Sequence, residues 1–366
     1  MNANSAEYRQ WKVKQNAKNL KRRTEKRARI RARRGAQISC VESQKPDAVY
    51  SAKLDRKPIR NSTSLDFITP MEDGWDPCCA PEILDFTTNI ENTVGFFTKL
   101  IAFTKQLRVM DCELHIDLSQ IQSASLDALL YLLAIVNDLA LNYADKFRFI
   151  NGLPQSNEVR ASIENVGLDR FINNFENLEV QFKSENTRIF YGKEVLPDLA
   201  GAILDFVCEK ATVELKKYTF LYTIIIELMA NTHNHAYKTN DCILSNNWYC
   251  LSHYNAQKSS LFFAFVDTGD GIPATVRKYF SDYLLSSRDS EYVISALKGD
   301  VRTHTKQKNR GTGLPLLLSA CTNRSIQHME IVTNRANVTI HETNIESVDL
   351  SAFLNGTVFS WSINLT

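Results

Sequence analysis

The chain has 366 residues, of which 44% are hydrophobic and 10% aromatic, proportions that belong to folded domains and exclude a wholly disordered chain. Its length predicts two folded domains plus a tail. No apolar run approaches the ~20 residues of a membrane span, and the basic amino terminus has no apolar stretch behind it, which argues against a secretory signal. A cytoplasmic protein with no membrane contact is expected. The formal net charge of +2 conceals an asymmetry: residues 1–34 carry 13 Lys/Arg against 2 Asp/Glu, leaving 30 against 39, a net of −9, on the remainder.

The eight cysteines (Cys40, Cys78, Cys79, Cys112, Cys208, Cys242, Cys250 and Cys321) contain no C-x-x-C pair and no zinc spacing, so reduced thiols are expected. The vicinal Cys78-Cys79 pair leaves a redox or metal role open. His233, His235 and His253 lack a clustered third ligand type and are not read as a metal site.

In chain order, the basic arm 1–34 is free of Pro and Gly, with charges on every face and no continuous apolar stripe, so it cannot bury much surface by itself. Such an arm suits the phosphate backbone of a nucleic acid, an acidic protein surface, or solvent alone. Residues 35–65 are polar, include Pro46 and Pro58, and read as a linker.

From 66 to 190, short apolar strands alternate with amphipathic helices. Glu113–Leu118 and Phe147–Ile150 read as strands, and Leu126–Ala144 and Asn157–Val166 as helices. Strand, helix, strand, helix predicts an α/β layer with parallel pairing. This stretch, through Asp117-Leu118-Ser119-x-Ile121 before the long helix and Asn165-Val166-Gly167-Leu168-Asp169-Arg170-Phe171 after the second, resembles the STAS domain of bacterial anti-sigma-factor antagonists. In the signalling members of that family a phosphorylated serine opens the long helix. Here the matching stretch is Ser125-Leu126-Asp127-Ala128-Leu129, which puts Leu126 or Asp127 at the acceptor position and leaves Ser123 and Ser125 as neighbouring hydroxyls. The resemblance therefore implies a docking or self-association platform rather than a phosphoacceptor.

Thr219–Tyr237 reads as one helix, with Leu221, Ile224, Ile225, Leu228 and Met229 on its apolar side. Thr223, Glu227, Asn231 and His235 follow at steps of four and share a stripe, which by itself fits a solvated face. Downstream, the apolar strand Leu261–Val266 stops at Asp267-Thr268-Gly269-Asp270-Gly271-Ile272-Pro273. Here glycines permit close approach of a ligand and a carboxylate can accept a hydrogen bond from an amino group. Gly311-Thr312-Gly313-Leu314-Pro315 then opens another helix, whose free N–H groups suit phosphate.

In this order these are the motifs of the gyrase, heat-shock chaperone, histidine kinase and MutL (GHKL) ATP-binding fold, which residues 191–366 resemble. The N box is Glu227-x-x-x-Asn231-x-x-x-His235, the G1 box Asp267-x-Gly269-x-Gly271, and the G2 box Gly311-x-Gly313-Leu314. Gly356-Thr357-Val358-Phe359 matches the final strand. The expected fold is α/β: a STAS-like domain (66–190) followed by a GHKL-type α/β sandwich, a mixed sheet covered by helices (191–366). The resemblance implies ATP and Mg2+ as cofactors. Asp267, with Thr357 beside it, would read the adenine amino group, and Asn231 would hold Mg2+. Backbone at Gly269, Gly271, Gly311, Thr312, Gly313 and Leu314 would meet the nucleotide, and Glu227 would be the general base. Ala274–Arg310 would be the lid, with Arg302, Lys306, Lys308 and Arg310 near its end as γ-phosphate contacts or a solvated basic loop.

Three activities fit: an ATPase switch, a protein serine kinase of the anti-sigma-factor type, or a non-hydrolysing ATP-dependent scaffold. Glu227 supports the first, but Glu227 and Asn231 serve the kinase class too and do not discriminate. The chain stops at Thr366 without the downstream domain that supplies a γ-phosphate lysine in the switch branch, so slow or partner-stimulated hydrolysis is expected. A sensor histidine kinase is disfavoured, because no dimerisation helix bearing an acceptor histidine precedes the ATP motifs. The combination suits a bacterial regulatory or defence system.

Overall fold

The computed structural model describes residues 77–107, 112–173, 181–211, 218–235, 244–245, 247–277, 288–300 and 313–365. The basic arm, the linker, Cys40, Cys242, the lid cations Arg302, Lys306, Lys308 and Arg310, and Gly311 and Thr312 lie outside them, as does the separate unit Asn4–Gly74. All the described residues fall in one compact unit.

The elements are β1 (Cys78–Cys79), β2 (Ile83–Leu84), α1 (Ile90–Leu107), β3 (Leu114–Asp117), β4 (Ser123–Ala124), α2 (Leu126–Tyr143), β5 (Phe147–Ile150), α3 (Asn157–Val166), α4 (Asp169–Asn173), β6 (Gln181–Lys183), β7 (Thr187–Gly192), α5 (Pro197–Ala211), α6 (Thr219–His235), β8 (Trp248–Asn255), β9 (Ser260–Asp267), α7 (Ile272–Val276), α8 (Asp289–Lys298), α9 (Gly313–Thr322), β10 (Met329–Ile340) and β11 (Ile345–Asn364). The class is mixed α/β.

The amino-terminal strands pair in parallel, as the alternation of strand and helix requires: β3 lies between β1 and β5, and β2 pairs with β4. Local signals set α3. The Ser156 hydroxyl accepts from Val159 N at its start, and Gly167 at φ 72° closes its end with hydrogen bonds from Gly167 N to Glu164 O and Leu168 N to Ile163 O. Cys78 is buried on β1, which pushes its thiol up to about 12, and its neighbour Cys79 is exposed.

The large sheet has the order β10-β11-β9-β8-β7-β6, and every neighbouring pair is antiparallel. The expected mixed sheet is thus corrected. β9 and β10 do run in the same direction, but β11 inserts between them and pairs antiparallel with both. The sheet also begins earlier than residue 191, since β6 and β7 form its far edge.

Side chains alternate across this sheet. Tyr249, Leu251, Ala264, Val266, Val332 and Val358 share one core with α1 and α2. Their alternates Trp248, Phe263, Phe265 and Trp361 face the other way, stacked as Trp248 on Phe265 and Phe263 on Trp361 with centroids 6.0 and 5.3 Å apart. α5 and α9 pack against the sheet, and α6 packs on both of them.

α2 explains its own composition. Leu129, Leu130, Leu132, Leu133, Ile135 and Val136 point in every direction around it and all are buried, because the helix is enclosed by α1, α3 and the large sheet. Each such side chain contributes about 2 kcal/mol, and an unpaired charge at Leu133 would be strongly destabilising. Among the described residues this is the one helix whose length and mean hydropathy of 1.3 would allow it to cross a membrane, and 78% of it is buried inside the fold.

The β10–β11 ribbon bends sharply. Asn334 has φ 51° and the register slips on both sides of it. Asn337 Nδ2 consequently donates to Glu330 Oε1 at 3.1 Å, although seven residues of straight strand would hold them about 23 Å apart. The outer ribbon is tied to α8, where Asp349 accepts from Ser290 N at 3.2 Å and from Ser290 Oγ at 2.9 Å. It is tied to α1 where Ser351 Oγ donates to Glu91 at 2.6 Å.

Candidate functional site

α6 buries Leu221, Ile224, Ile225, Leu228 and Met229. Its polar stripe is graded: Thr223 is exposed, Glu227 and Asn231 are partly buried, and the His235 side chain lies outside the described residues. Glu227 and Asn231 lie against the start of α9. A Cβ on Gly313 would stand 3.1 Å from both Cβ and Oε2 of Glu227 and 3.3 Å from Asn231 Nδ2. A side chain at residue 313 would fit only if Glu227 and Asn231 gave way by a few tenths of an ångström. The first turn of α9 carries N–H groups with no partner inside the helix, and it is the positive end of the helix dipole.

The second part of the site is a row of residues across four strands. Thr333, Thr357, Asp267 and Trp248 are successive register partners on β10, β11, β9 and β8. The Asp267 carboxylate accepts from Gly269 N at 2.9 Å and from the Thr357 hydroxyl. Burial pushes this carboxyl up to about 6. The two hydrogen bonds act the other way, and the Asp270 charge adds to the rise. Asp267 is only partly covered, so it combines desolvation with access, the condition in which a carboxylate gains most from a donor that reaches it.

Backbone geometry holds the row together. Thr333 Oγ1 donates to Gly356 O at 2.8 Å, accepts from Ile272 N at 3.1 Å and lies 3.1 Å from Thr357 Oγ1. Asn334 Nδ2 donates to Asp270 O at 3.0 Å, and its Oδ1 accepts from Ala274 N at 3.3 Å. Gly271, at φ 84°, has room only for hydrogen, since a Cβ there would lie 2.5 Å from Asn334 Nδ2. Thr333 and Asn334 did not emerge from the sequence reading. Their one sequence signal is the polar run Thr333-Asn334-Arg335 in the middle of the strand Met329–Ile340.

The two parts connect through a small core of Val276, Tyr292 and Ala296, against which Ile272 at the start of α7 and Leu314 in the first turn of α9 both pack. The segments therefore converge: α6 on the start of α9, α9 on α8, α8 on α7, and the turn after β9 on the Gly356-Thr357 segment. A separate groove of about 760 Å³, between Tyr218, Asn323, Gln327 and Asn364, contains none of these residues.

No family model and no curated protein matches this chain.

The donor set suits a hard divalent cation only in part. Asn231 and Glu227 offer oxygen ligands, but among the described residues no group of three His, Cys, Asp or Glu side chains could hold a metal by itself. A Mg2+ ion here would draw its remaining ligands from phosphate oxygens and water, which is the usual way Mg2+ is bound beside a nucleotide. Of the histidines read and set aside as metal ligands, His253 Nδ1 lies 2.9 Å from Thr187 Oγ1 on the neighbouring strand, and His233 is exposed.

In the amino-terminal half, Ser123 is exposed on β4 and Ser125 is the residue that precedes α2. Asp127 is 3% exposed, and burial pushes its carboxyl above the ordinary carboxylate range despite hydrogen bonds that include Ser360 and Ala128 N. Of the two positions that match the phosphoacceptor of the resembled domain, Asp127 is thus enclosed against β11 and Leu126 is half-buried.

Proposed function

We propose that residues 191–366 act as a GHKL-type Mg-ATP-binding domain, with 66–190 as a STAS-like partner, in a regulatory switch whose hydrolysis is slow or partner-stimulated. The observation that carries this reading is the convergence of the four motif segments, above all the contact of Gly313 with Glu227 and Asn231. Segments far apart in the chain meet, which supports this reading.

In this reading the partly buried Asp267 accepts a hydrogen bond from the adenine amino group, with Thr357 fixing the carboxylate's orientation. The first turn of α9 receives phosphate on its free N–H groups. Asn231 supplies an oxygen to Mg2+, which neutralises charge on the phosphates when bound. Glu227, one helical turn before Asn231, takes the proton of the attacking water. Gly311, Thr312, Lys308 and Arg310 are proposed to complete the phosphate contacts, and the arm 1–34 to engage nucleic acid or an acidic protein.

The test is incubation of the full chain with γ-labelled ATP and Mg2+, beside Glu227→Ala and Asp267→Asn, following bound nucleotide, free phosphate and protein-bound label. Free phosphate that disappears in Glu227→Ala while binding persists supports the switch. Label on a protein would establish the serine-kinase reading, with the exposed Ser123 of this chain and hydroxyls of other chains as candidate acceptors. Binding without turnover would establish the scaffold. Absence of binding in the wild type would overturn the nucleotide reading altogether.

A further inference from the structure

We propose that α2 belongs to the adenine-reading apparatus, with Tyr131 and Asp138 as positioning residues that hold the two chain segments flanking Asp267 and thereby set selectivity for a base bearing an amino group. This inference rests on the nucleotide reading above.

Tyr131 is fully buried. Its ring packs edge-on against Phe97 at 4.7 Å and Phe86 at 6.2 Å, and its hydroxyl donates to Asn355 O at 2.5 Å. Asn355 immediately precedes Gly356, which turns at φ 85° directly over the Asp267 carbonyl, and Thr357, whose hydroxyl meets the Asp267 carboxylate. One hydrogen bond from α2 therefore fixes the segment on the β11 side of Asp267.

Asp138, 2% exposed, does the same on the β8 side. Its Oδ1 accepts from Ser245 N at 2.8 Å, and Ser245 O accepts from the hydroxyl of Thr268, the residue after Asp267, at 2.7 Å. Asn137 adds a bond from its Nδ2 to Tyr249 Oη at 2.9 Å. Tyr131 and Asp138 are seven residues apart and so lie on one helix face, about 10.5 Å apart along the axis. That rise matches the roughly 9.6 Å between the two strands that neighbour β9 on either side. The helix crosses β9 and grips the chain to its left and right.

Neither residue contacts the base in this scheme. Each acts by keeping the Asp267 carboxylate and the Thr357 hydroxyl in register, so loss of either should blur recognition of the amino group and leave phosphate binding intact. A merely structural role would weaken all nucleotides alike.

The experiment measures affinity of the full chain for Mg-ATP and for Mg-purine riboside triphosphate, which lacks the 6-amino group, in wild type, Tyr131→Phe, Asp138→Ala and Asp138→Asn, with thermal unfolding recorded for each. Tyr131→Phe and Asp138→Ala are expected to lose about fivefold in ATP affinity, the scale of one hydrogen bond, with the analogue unchanged. Asp138→Asn keeps an Oδ1 acceptor and is expected to retain wild-type selectivity. Equal weakening of both nucleotides, or an unchanged selectivity ratio in whichever of Tyr131→Phe and Asp138→Ala folds, overturns the proposal. A wild type that binds neither nucleotide overturns instead the reading on which it rests.

Discussion

Gly356 meets Asp267 backbone to backbone: a Cβ at residue 356 would stand 2.0 Å from the Asp267 carbonyl oxygen, and φ there is 85°. The contact brings Thr357 beside the Asp267 carboxylate, and no side chain can be accommodated without parting the two strands. Gly356→Ala is therefore expected to cost about 3 kcal/mol or more, combining left-handed strain with a steric clash against backbone. Denaturant unfolding checks it, and a loss under about 1 kcal/mol would show that β11 can shift away from β9.

Asp267 makes a pH prediction. Its carboxyl is raised to about 6 in the folded chain, whereas an unfolded carboxyl titrates at about 4. A group raised in this way contributes its stability in full below about pH 4, and that contribution is lost as pH rises through 6, by at most about 3 kcal/mol. Asp267→Asn should flatten the fall in stability of the ligand-free protein between pH 4 and 7. ATP affinity should move the opposite way in the wild type and tighten as the carboxylate ionises. Parallel stability curves for the two proteins would refute the shift.

Gly313 separates site geometry from stability. A Cβ there would lie 3.1 Å from Glu227 and 3.3 Å from Asn231, both side chains that can yield by a few tenths of an ångström. Gly313→Ala is expected to change stability by less than about 1 kcal/mol, since the gain in helix propensity offsets the crowding, while displacing Glu227 and Asn231 and lowering phosphate release about tenfold. The readouts are Tm and labelled-phosphate release, compared with wild type.

Glu330 and Asp127 are linked through Ser360, the register partner of Glu330 on β11 and a hydrogen-bond partner of Asp127. Burial is the first cause raising each carboxyl. At Glu330 the Thr87 and Asn337 hydrogen bonds lower it, and the Asp127 and Asp85 charges raise it. Stability from Glu330 is thus present below the ordinary carboxylate range and declines as pH rises above it. Glu330→Gln should be neutral near pH 4 and stabilising by about 1 kcal/mol at pH 8. Asn337 Oδ1, which has no hydrogen-bond partner among the described residues, can turn to accept from the new amide. Unfolding at the two pH values decides it, and an equal effect at both would mean that Glu330 is charged and satisfied in place.

Much of the local structure was legible. The helices at Leu126–Tyr143, Asn157–Val166 and Thr219–His235 and the strand ending at Asp267 lie within a residue or two of where periodicity and turn chemistry put them. Ser156 and Gly167 mark the ends of α3 by bonds that involve only neighbouring residues. The convergence of Glu227, Asn231 and Gly313, and of Asp267 with Thr357, was implied by the order of the motifs. Tyr131, Asp138, Thr333 and Asn334 were not legible. Their partners are backbone groups more than 20 residues away wherever they serve the site, at Asn355, Ser245, Gly356 and Asp270 respectively, and backbone groups carry no sequence signature.

By itself the sequence determined which residues could build each helix and strand, and which face of each had to be buried, because those preferences act over a few residues along the chain. Only the tertiary structure decided what covers each face. β11 parts β9 from β10, which leaves the sheet antiparallel throughout. The ribbon turns at Asn334. α2 lies across the sheet that carries Asp267, in the same compact unit. Strand order and helix docking are chosen by apolar surface and hydrogen bonds summed over the whole core, and an apolar stripe states that it needs a partner without naming which one.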